Sequence, residues 1–148
     1  CDWRYACHYA GSKSWAWIMM IGIGNDLLQI SRMAATYERT QGRIASRILG
    51  PLEYAVFQAR FNRNRARGMA YLCTRFAAKE AFSKAIGLGM HMPMTWRSVQ
   101  ILNEASGKPY LLYSGLLANW MQERGWVGNV TLTDEQEMVS AVVIVTRS

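Results

Sequence analysis

The stretch that most constrains the fold of this chain is a long helical pattern between Arg65 and Ile86. It contains no proline, and Gly87 follows it at the position where helices commonly end in a left-handed residue. About 22 residues rising 1.5 Å each give a helix of roughly 33 Å. Because the chain has 148 residues and fits one domain, we expect this helix to be central, with the other elements packed against it.

Short β-like and helical segments surround this central pattern. Alternation of apolar residues and flanking turn residues predicts strands at 20–24, 95–104, 110–113, 129–134 and 138–145. Apolar stripes at helical spacing predict further helices at 26–39, 43–49, 51–59 and 114–125. The segments 106–110 and 134–137 are predicted turns. The mixture predicts an α+β fold in which an antiparallel sheet packs against the long central helix.

The first 18 residues differ from the rest of the chain. They hold three of the six tryptophans and two of the three cysteines, and they have no clear periodicity. Met19 and Met20 offer a natural start, so we interpret residues 1–18 as an upstream extension or an expression remnant. The folded domain is predicted over residues 19–148.

The net charge of +7 is concentrated in about one quarter of the chain. Between Arg32 and Arg67 there are eight arginines against two glutamates. A solubilising surface is one explanation. The use of arginine also favours recognition of carboxylates or phosphates, which the guanidinium group binds in a bidentate way.

Cysteine usage and hydropathy indicate the compartment. Cys1, Cys7 and Cys73 are an odd number without a CxxC spacing, which favours neither a disulfide framework nor a zinc site. A reducing cytoplasm is therefore expected. No run approaches the roughly 18 apolar residues that a membrane span requires, so we expect no membrane association.

One face of the central helix combines groups that could perform chemistry. At 100° per residue, Phe76, Glu80, Ser83, Lys84 and Gly87 fall within about 100° of arc. The Glu80–Lys84 pair has the favourable i,i+4 order of an ordinary exposed helix, and a solvated charged face is the simpler explanation. The nearby hydroxyl and aromatic ring, and the glycine at the helix end, favour a ligand site instead.

Asp26 follows the first predicted strand and also has two explanations. A single aspartate at a strand end commonly caps the next helix. It could alternatively share a hard cation with Glu80, because Mg²⁺ takes one or two protein carboxylates together with water and phosphate oxygens. Because Lys84 lies one helical turn from Glu80, the side chains of Asp26, Glu80 and Lys84 would form a pocket for a diphosphate and its metal.

Four motifs in a fixed order carry a family resemblance. They are "GIGNDLLQISRM", "RFAAKEAFSKAIGLGM", "SGKPY" and "NVTLTDEQEMVSAVVIV". Together they resemble the holo-[acyl-carrier-protein] synthases, the small bacterial 4′-phosphopantetheinyl transferases, over residues 20–146. The resemblance implies the 4′-phosphopantetheinyl transferase fold. It also implies transfer of 4′-phosphopantetheine from coenzyme A to a serine of apo acyl carrier protein, a step of fatty acid biosynthesis.

The resemblance also implies roles for individual residues. Asp26 and Glu80 would be the protein ligands of Mg²⁺, and Glu80 and Lys84 would be the catalytic residues, with Lys84 on a phosphate. The general base would be Glu80 or a metal-bound water. Members of the family are typically homotrimers that share active sites between subunits. The implied coenzyme-binding residues are Arg75, Ser83, Gly87, Gly107, Pro109 and Asn129, and Arg32, Arg39 and Arg43 are the implied contacts of the acidic carrier protein.

Two other functions remain open at this point. Many members have a histidine where this chain has Asn129, so the chain could be a coenzyme-A-binding relative with reduced activity. The arginine-rich window and its interspersed aromatic residues would also suit a basic nucleic-acid-binding module. Glu80 argues against the latter, because a groove for nucleic acid has no use for a carboxylate beside its lysine, and no nucleic acid partner is expected.

Overall fold

The structure, a computed structural model, describes residues 19–147, so the predicted extension 1–18 lies outside the described residues. Five strands and five helices follow one another along this part of the chain. Their bounds are β1 Met19–Gln29, α1 Ile30–Arg39, α2 Arg43–Ile48, α3 Pro51–Arg63, α4 Arg65–Ala85, β2 Val99–Asn103, β3 Pro109–Tyr113, α5 Gly115–Glu123, β4 Trp126–Asp134 and β5 Met138–Arg147.

The strands form two antiparallel sheets. The larger sheet has the order β1-β5-β4, so the last strand of the chain lies between the first strand and β4. The smaller sheet is the hairpin of β2 and β3. Its connection spans residues 104–108, so the turn lies slightly earlier than the predicted 106–110, and Pro109 already belongs to β3. Helix α4 packs against β1 and β5 on one side and against α3 on another. The α+β class and the antiparallel sheet on a long central helix are therefore confirmed.

The central helix has the predicted bounds to within one residue at its C-terminus. Fourteen of its 21 residues are buried, from Gly68 to Ala85, so it is enclosed on most of its circumference. Gly87 follows with φ +75°, the left-handed conformation that the sequence predicted for it. Small residues on this helix, such as Ala77, Ala78 and Ala81, let neighbouring elements approach closely.

The prediction was wrong for residues 26–29. The apolar stripe there predicted a helix beginning at Asp26, but β1 continues to Gln29 and pairs with β5 down to Gln29–Met138. The helix begins only at Ile30, with Gln29 as its N-cap residue. Asp26 therefore does not cap a helix. It lies within β1, opposite Ala141 of β5.

Smaller differences concern element lengths. The strand predicted at 95–104 is limited to Val99–Asn103, because Ser98 bonds back to Thr95 through its hydroxyl at 2.9 Å and forms a turn. Helix α3 extends to Arg63 rather than ending at 59. Strands β4 and β5 are both longer than predicted, since each continues its ladder with the other.

A buried ion pair joins α4 to the elements around it. Lys79 and Glu53 both have fully buried side chains, with 2.6 Å between Nζ and Oε2. Lys79 Nζ also donates to the carbonyls of Ile48 and Trp96, both at 2.7 Å. Glu53 accepts from the backbone N–H of Gly50 and of Ile101, so α2, α3, β2 and the segment before β2 are all tied to α4.

None of the helices within residues 19–147 is both long enough and apolar enough to cross a bilayer.

Candidate active site

Two glycines of β1 let that strand lie directly on α4. A Cβ atom added at Gly22 would lie 2.1 Å from the carbonyl oxygen of Ala85, and one at Gly24 would lie 2.0 Å from that of Ala81. Real side chains do not approach backbone so closely, so only glycine fits at these two positions. Asp26 is the next residue on the same face of β1, and it is thereby held beside the C-terminal half of α4.

Asp26 and Lys84 are in direct contact. Lys84 Nζ donates to Asp26 Oδ1 at 2.8 Å and to the backbone carbonyl of Asn25 at 2.9 Å. The Asp26 side chain is 17% exposed and that of Lys84 is 50% exposed, so the pair lies at the surface of the protein. The structure thus brings together two residues that are 58 positions apart in the sequence.

Glu80 lies on α4 one turn before Lys84. Its carboxylate is close enough to Asp26 to be affected by the negative charge of that residue. Burial raises the pKa of Glu80, the negative charge of Asp26 raises it further, and the nearby Lys84 ammonium opposes both effects. The two carboxylates are therefore close enough to interact electrostatically, and Lys84 is the cation beside them. Such a pair of carboxylates disfavours its own double ionisation and is favourable for an added cation.

The donor set fits a hard divalent cation that keeps other ligands. Among residues 19–147 no group of three or more histidine, cysteine, aspartate or glutamate residues could enclose a metal ion. Two carboxylates from β1 and α4 remain, and Mg²⁺ usually takes only one or two carboxylates with waters and phosphate oxygens completing its octahedron. Asp26 and Glu80 therefore suit Mg²⁺ together with a phosphate ligand.

Two further residues of this face have local roles. Ser83 is buried, and its hydroxyl donates to the carbonyl of Glu80 at 2.8 Å, so the hydroxyl is bonded within its own helix. Gly87 ends the helix at positive φ, and a Cβ atom there would meet no described atom within 4 Å. The backbone conformation, rather than a close neighbour, accounts for glycine at this position.

A separate cleft of about 800 Å³ opens near the N-terminal half of α4. Arg75 lines this cleft and is only 4% exposed. Its guanidinium donates to Asn103 Oδ1 at 2.6 Å and to the Ile101 carbonyl at 3.2 Å, and it lies 3.9 Å from the ring centre of Tyr71. The volume is in the range of ligand pockets. Other residues that line it are Arg60, Arg63, Arg67, Gly107, Pro109 and Asp134.

Three arginines of this cleft were not assigned to a site by the sequence analysis. Arg60 and Arg63 come from the last turn of α3, and Arg67 comes from the first turn of α4. The sequence contained a signal, because the three residues follow one another at close to helical spacing. The break between the two helices at Asn64 hid the fact that their basic faces meet beside Arg75.

The remaining predicted coenzyme residues do not all meet within one chain. Gly107 and Pro109 line the cleft with Arg75, but Asp26, Glu80 and Lys84 do not. From Arg75 to Lys84 is about 14 Å along the helix axis. Asn129 does not line the cleft. It also lies on the opposite face of the larger sheet from Asp26: it pairs with Ile144 on the outer face, which is turned away from α4, whereas Asp26 is on the face toward α4.

The three arginines predicted to contact a carrier protein lie together on another surface. Arg32 and Arg39 belong to α1, Arg43 begins α2, and all three are exposed. Arg39 donates to Thr36 Oγ1 at 3.4 Å, and Arg43 donates to the Thr40 carbonyl at 3.1 Å. Their guanidinium groups form a basic surface on α1 and the start of α2, the two helices that follow β1.

Comparisons with known proteins identify relatives of this chain. The family model of the 4′-phosphopantetheinyl transferase superfamily matches residues 22–139. A holo-[acyl-carrier-protein] synthase of Polynucleobacter asymbioticus is 62% identical over 87% of this chain and 99% of the relative. One of Burkholderia ambifaria is 58% identical over 83% of this chain and 84% of the relative.

Solved structures show the same fold. The holo-[acyl-carrier-protein] synthase of Neisseria meningitidis superposes with a TM-score of 0.79 at 34% identity, over 86% of this chain and 98% of that chain. The enzyme of Bacillus anthracis, solved in complex with coenzyme A (3′,5′-ADP), gives a TM-score of 0.72 at 27% identity, over 88% of this chain and 99% of that one.

Proposed function

Because the chain belongs to the holo-[acyl-carrier-protein] synthases of the 4′-phosphopantetheinyl transferase superfamily, we propose that it transfers 4′-phosphopantetheine from coenzyme A to a serine of apo acyl carrier protein, assisted by Mg²⁺. The observation that carries the proposal is the meeting of Asp26, Glu80 and Lys84 at the contact between β1 and α4. Two carboxylates and an ammonium suit a metal-bound pyrophosphate.

Asp26 and Glu80 hold the metal ion in this proposal. When bound, Mg²⁺ would neutralise charge on the pyrophosphate oxygens. The serine oxygen of the carrier protein forms a bond to the phosphorus that bears pantetheine. The bond from that phosphorus to the bridging oxygen breaks, and adenosine 3′,5′-bisphosphate leaves with the electron pair. Lys84 stabilises the negative charge that develops on the phosphate oxygens.

The serine proton goes to a base within the same site. Glu80 is the candidate among this chain's residues, because its carboxylate lies at the proposed reaction site and has a second oxygen that can accept the proton. The alternative base is water held by the metal, as the resemblance left open.

The basic cleft holds the nucleotide half of coenzyme A in this proposal. Arg60, Arg63 and Arg67 supply positive charge around the buried Arg75, which suits the phosphates of an adenosine bisphosphate. Gly107 and Pro109 would lie against the adenine base. Ser83 and Gly87 would lie beside the coenzyme at the C-terminal end of α4. The long coenzyme would extend from this cleft of one subunit toward a metal site formed by Asp26 and Glu80.

A homotrimer with shared active sites is supported by the outer face of the larger sheet. Ile23, Leu27, Val127 and Ile144 lie on this face and are 60%, 61%, 50% and 38% exposed. An apolar sheet face of this kind favours contact with another subunit. Asn129 lies on the same face, so contact between subunits would bring it to a neighbour's site rather than to its own.

The basic surface formed by Arg32, Arg39 and Arg43 would receive the acidic carrier protein. Complementary charge mainly increases the rate of association and is screened by salt. Replacement Arg32→Glu should raise the KM for the carrier protein about 10-fold and leave the KM for coenzyme A unchanged. Arg97→Glu, at an exposed position elsewhere, is the matched control, and equal effects of both variants would refute this docking surface.

We further place this activity in the cytoplasm and in the supply of holo carrier protein for fatty acid biosynthesis. The buried free thiol of Cys73 agrees with a reducing compartment.

Mass spectrometry of the carrier protein tests the whole proposal. Apo acyl carrier protein incubated with coenzyme A, Mg²⁺ and this protein should gain the mass of phosphopantetheine. Chelation of divalent ions, Asp26→Ala and Glu80→Ala should each abolish the gain, whereas Leu116→Ala, at an exposed site on α5, should not. No gain with the wild type, or a gain that survives both chelation and Asp26→Ala, would refute the proposal.

A further inference from the structure

Lys84 is bonded to the same carboxylate that the proposed function assigns to the metal. Its Nζ lies 2.8 Å from Asp26 Oδ1 and 2.9 Å from the carbonyl oxygen of Asn25. Both acceptors belong to β1, so the ammonium is drawn toward that strand rather than toward solvent. A metal ion that takes Asp26 Oδ1 as a ligand would meet this ammonium beside the same oxygen.

The two cations compete for the carboxylate. Mg²⁺ binds carboxylate oxygen at about 2.0–2.1 Å and brings its own tightly held waters. The double positive charge of Mg²⁺ repels an ammonium that is hydrogen-bonded to the same oxygen, and the waters bound to Mg²⁺ take up the space around that oxygen. Lys84 is 50% exposed, and so exposed an ion pair contributes little stability. Breaking this pair is therefore easy once Lys84 has another anion to bind.

We propose that Lys84 exchanges between Asp26 and the coenzyme pyrophosphate, and that this exchange makes metal and coenzyme bind cooperatively. The inference rests on the proposed function and goes beyond it by giving Lys84 a role before the transfer step. When the pyrophosphate takes the ammonium, Asp26 Oδ1 becomes free for the metal. Glu80, one turn away on α4, stays in place as the second ligand.

The coupling must act in both directions. A ligand that raises the affinity for a second ligand by some factor has its own affinity raised by the same factor. Coupling in proteins usually amounts to about 5- to 150-fold, and we expect the part due to Lys84 to be about 10-fold. Direct bonds between metal and pyrophosphate add coupling of their own, so the test must isolate the part that depends on Lys84.

Binding of Mn²⁺, measured as the loss of the free-ion electron paramagnetic resonance signal, isolates that part. Affinity is measured for wild type and Lys84→Met, each without and with saturating coenzyme A. We expect Lys84→Met to bind Mn²⁺ about 10-fold more tightly than wild type without coenzyme A. With coenzyme A the two affinities should agree within about twofold, so the coupling ratio falls about 10-fold.

Three outcomes are distinguished by this measurement. If Lys84→Met raised Mn²⁺ affinity equally with and without coenzyme A, removal of a nearby charge alone would explain it and the exchange would be refuted. Unchanged or weaker Mn²⁺ binding by Lys84→Met without coenzyme A would also refute it. If Asp26→Asn and Glu80→Gln both left Mn²⁺ affinity unchanged, the metal site of the proposed function would fail instead. Arg97→Met removes an exposed cation that is not among the charges acting on Glu80, and it controls for net charge.

Discussion

Lys79 and Lys84 are five residues apart on α4 and have opposite environments. Lys84 is half exposed beside Asp26, whereas Lys79 is fully buried against Glu53. Burial lowers the pKa of Lys79, and the Glu53 carboxylate opposes that effect. With three oxygen acceptors within 2.7 Å, the Lys79 ammonium is fully bonded and serves the structure rather than the chemistry.

Removal of the Lys79 ammonium should destabilise the fold strongly. Lys79→Met leaves the Glu53 carboxylate buried without its cation, which typically costs about 3–5 kcal/mol of unfolding free energy. Urea unfolding followed by circular dichroism measures the loss. The double variant Lys79→Met, Glu53→Gln should recover part of it, because the neutral amide leaves no unpaired buried charge and its single oxygen still accepts one of the two backbone bonds. An effect of Lys79→Met no larger than that of Lys108→Met, at an exposed lysine, would contradict this account.

Glu80 should make stability depend on pH when no divalent ion is present. Its raised pKa means that the folded chain holds the proton more tightly than the unfolded chain. Ionisation therefore costs stability as the pH rises from the ordinary glutamate value of 4.5 through the raised value. Glu80→Gln should be the more stable protein above this interval and equal to wild type below it. Because the side chain is partly exposed, we expect less than about 1 kcal/mol.

Thermal unfolding of wild type and Glu80→Gln in chelator, between acidic and neutral pH, measures this difference. Glu135→Gln, in the exposed turn between β4 and β5, is the matched control. A Glu80→Gln difference that does not change with pH would contradict the cause assigned to the raised pKa.

At the scale of elements, the contact between β1 and α4 decides whether the site forms. The glycines of β1 remove the side chains that would separate the strand from the helix. Asp26 is then close to Lys84, although the two residues lie on different elements. The glycine-x-glycine pattern before Asp26 was visible in the sequence, but the partner that requires it was not.

Gly24→Ala should disturb both stability and metal binding. Its Cβ would lie 2.0 Å from the Ala81 carbonyl oxygen and 2.8 Å from the Ala85 nitrogen, so the strand must move away from α4. Overpacking of this kind costs about 1–3 kcal/mol. Chemical unfolding and Mn²⁺ titration measure the two effects. Asn25→Ala, on the opposite face of β1, should show neither, and equal behaviour of the two variants would argue against the contact.

The sequence predicted most elements but misjudged the end of β1. Residues 26–29 carry apolar residues at a spacing that suits a helix as well as a strand. Their conformation is set by the pairing of β1 with β5, ten ladder pairs in all, and β5 comes more than a hundred residues later. Local periodicity contains no information on that pairing, so a tertiary contact overrode the helical preference. Gly87, in contrast, is a local signal, and its prediction is confirmed.

At the scale of the whole molecule, the proposed site residues occupy three surfaces of one chain. The proposed metal ligands Asp26 and Glu80, the arginine cleft and Asn129 are separated along α4 and across the sheet. A coenzyme that used all three would need residues from more than one subunit. The exposed apolar side chains on the outer sheet face supply a surface for such an assembly.

Ile23→Lys should dissociate the proposed trimer. Ile23 is 60% exposed on the outer sheet face opposite Ile144, and a lysine there would introduce a charge into a contact between subunits. Light scattering coupled to gel filtration should show a shift from trimer to monomer, with loss of transfer activity. Leu116→Lys, at a residue 62% exposed on α5, should leave both unchanged. A wild type that is monomeric yet active would overturn the shared site.

The sequence by itself determined the central helix, its glycine end, the α+β class and the residue types of the site. These depend on local periodicity and on motifs whose residues lie close together in the sequence. Only the tertiary structure decided that Asp26 ends beside Lys84, that Lys79 is paired with Glu53, and that Arg60, Arg63 and Arg67 meet Arg75 in one cleft. Each of these contacts joins residues from different elements, and their proximity follows from packing that no local pattern encodes.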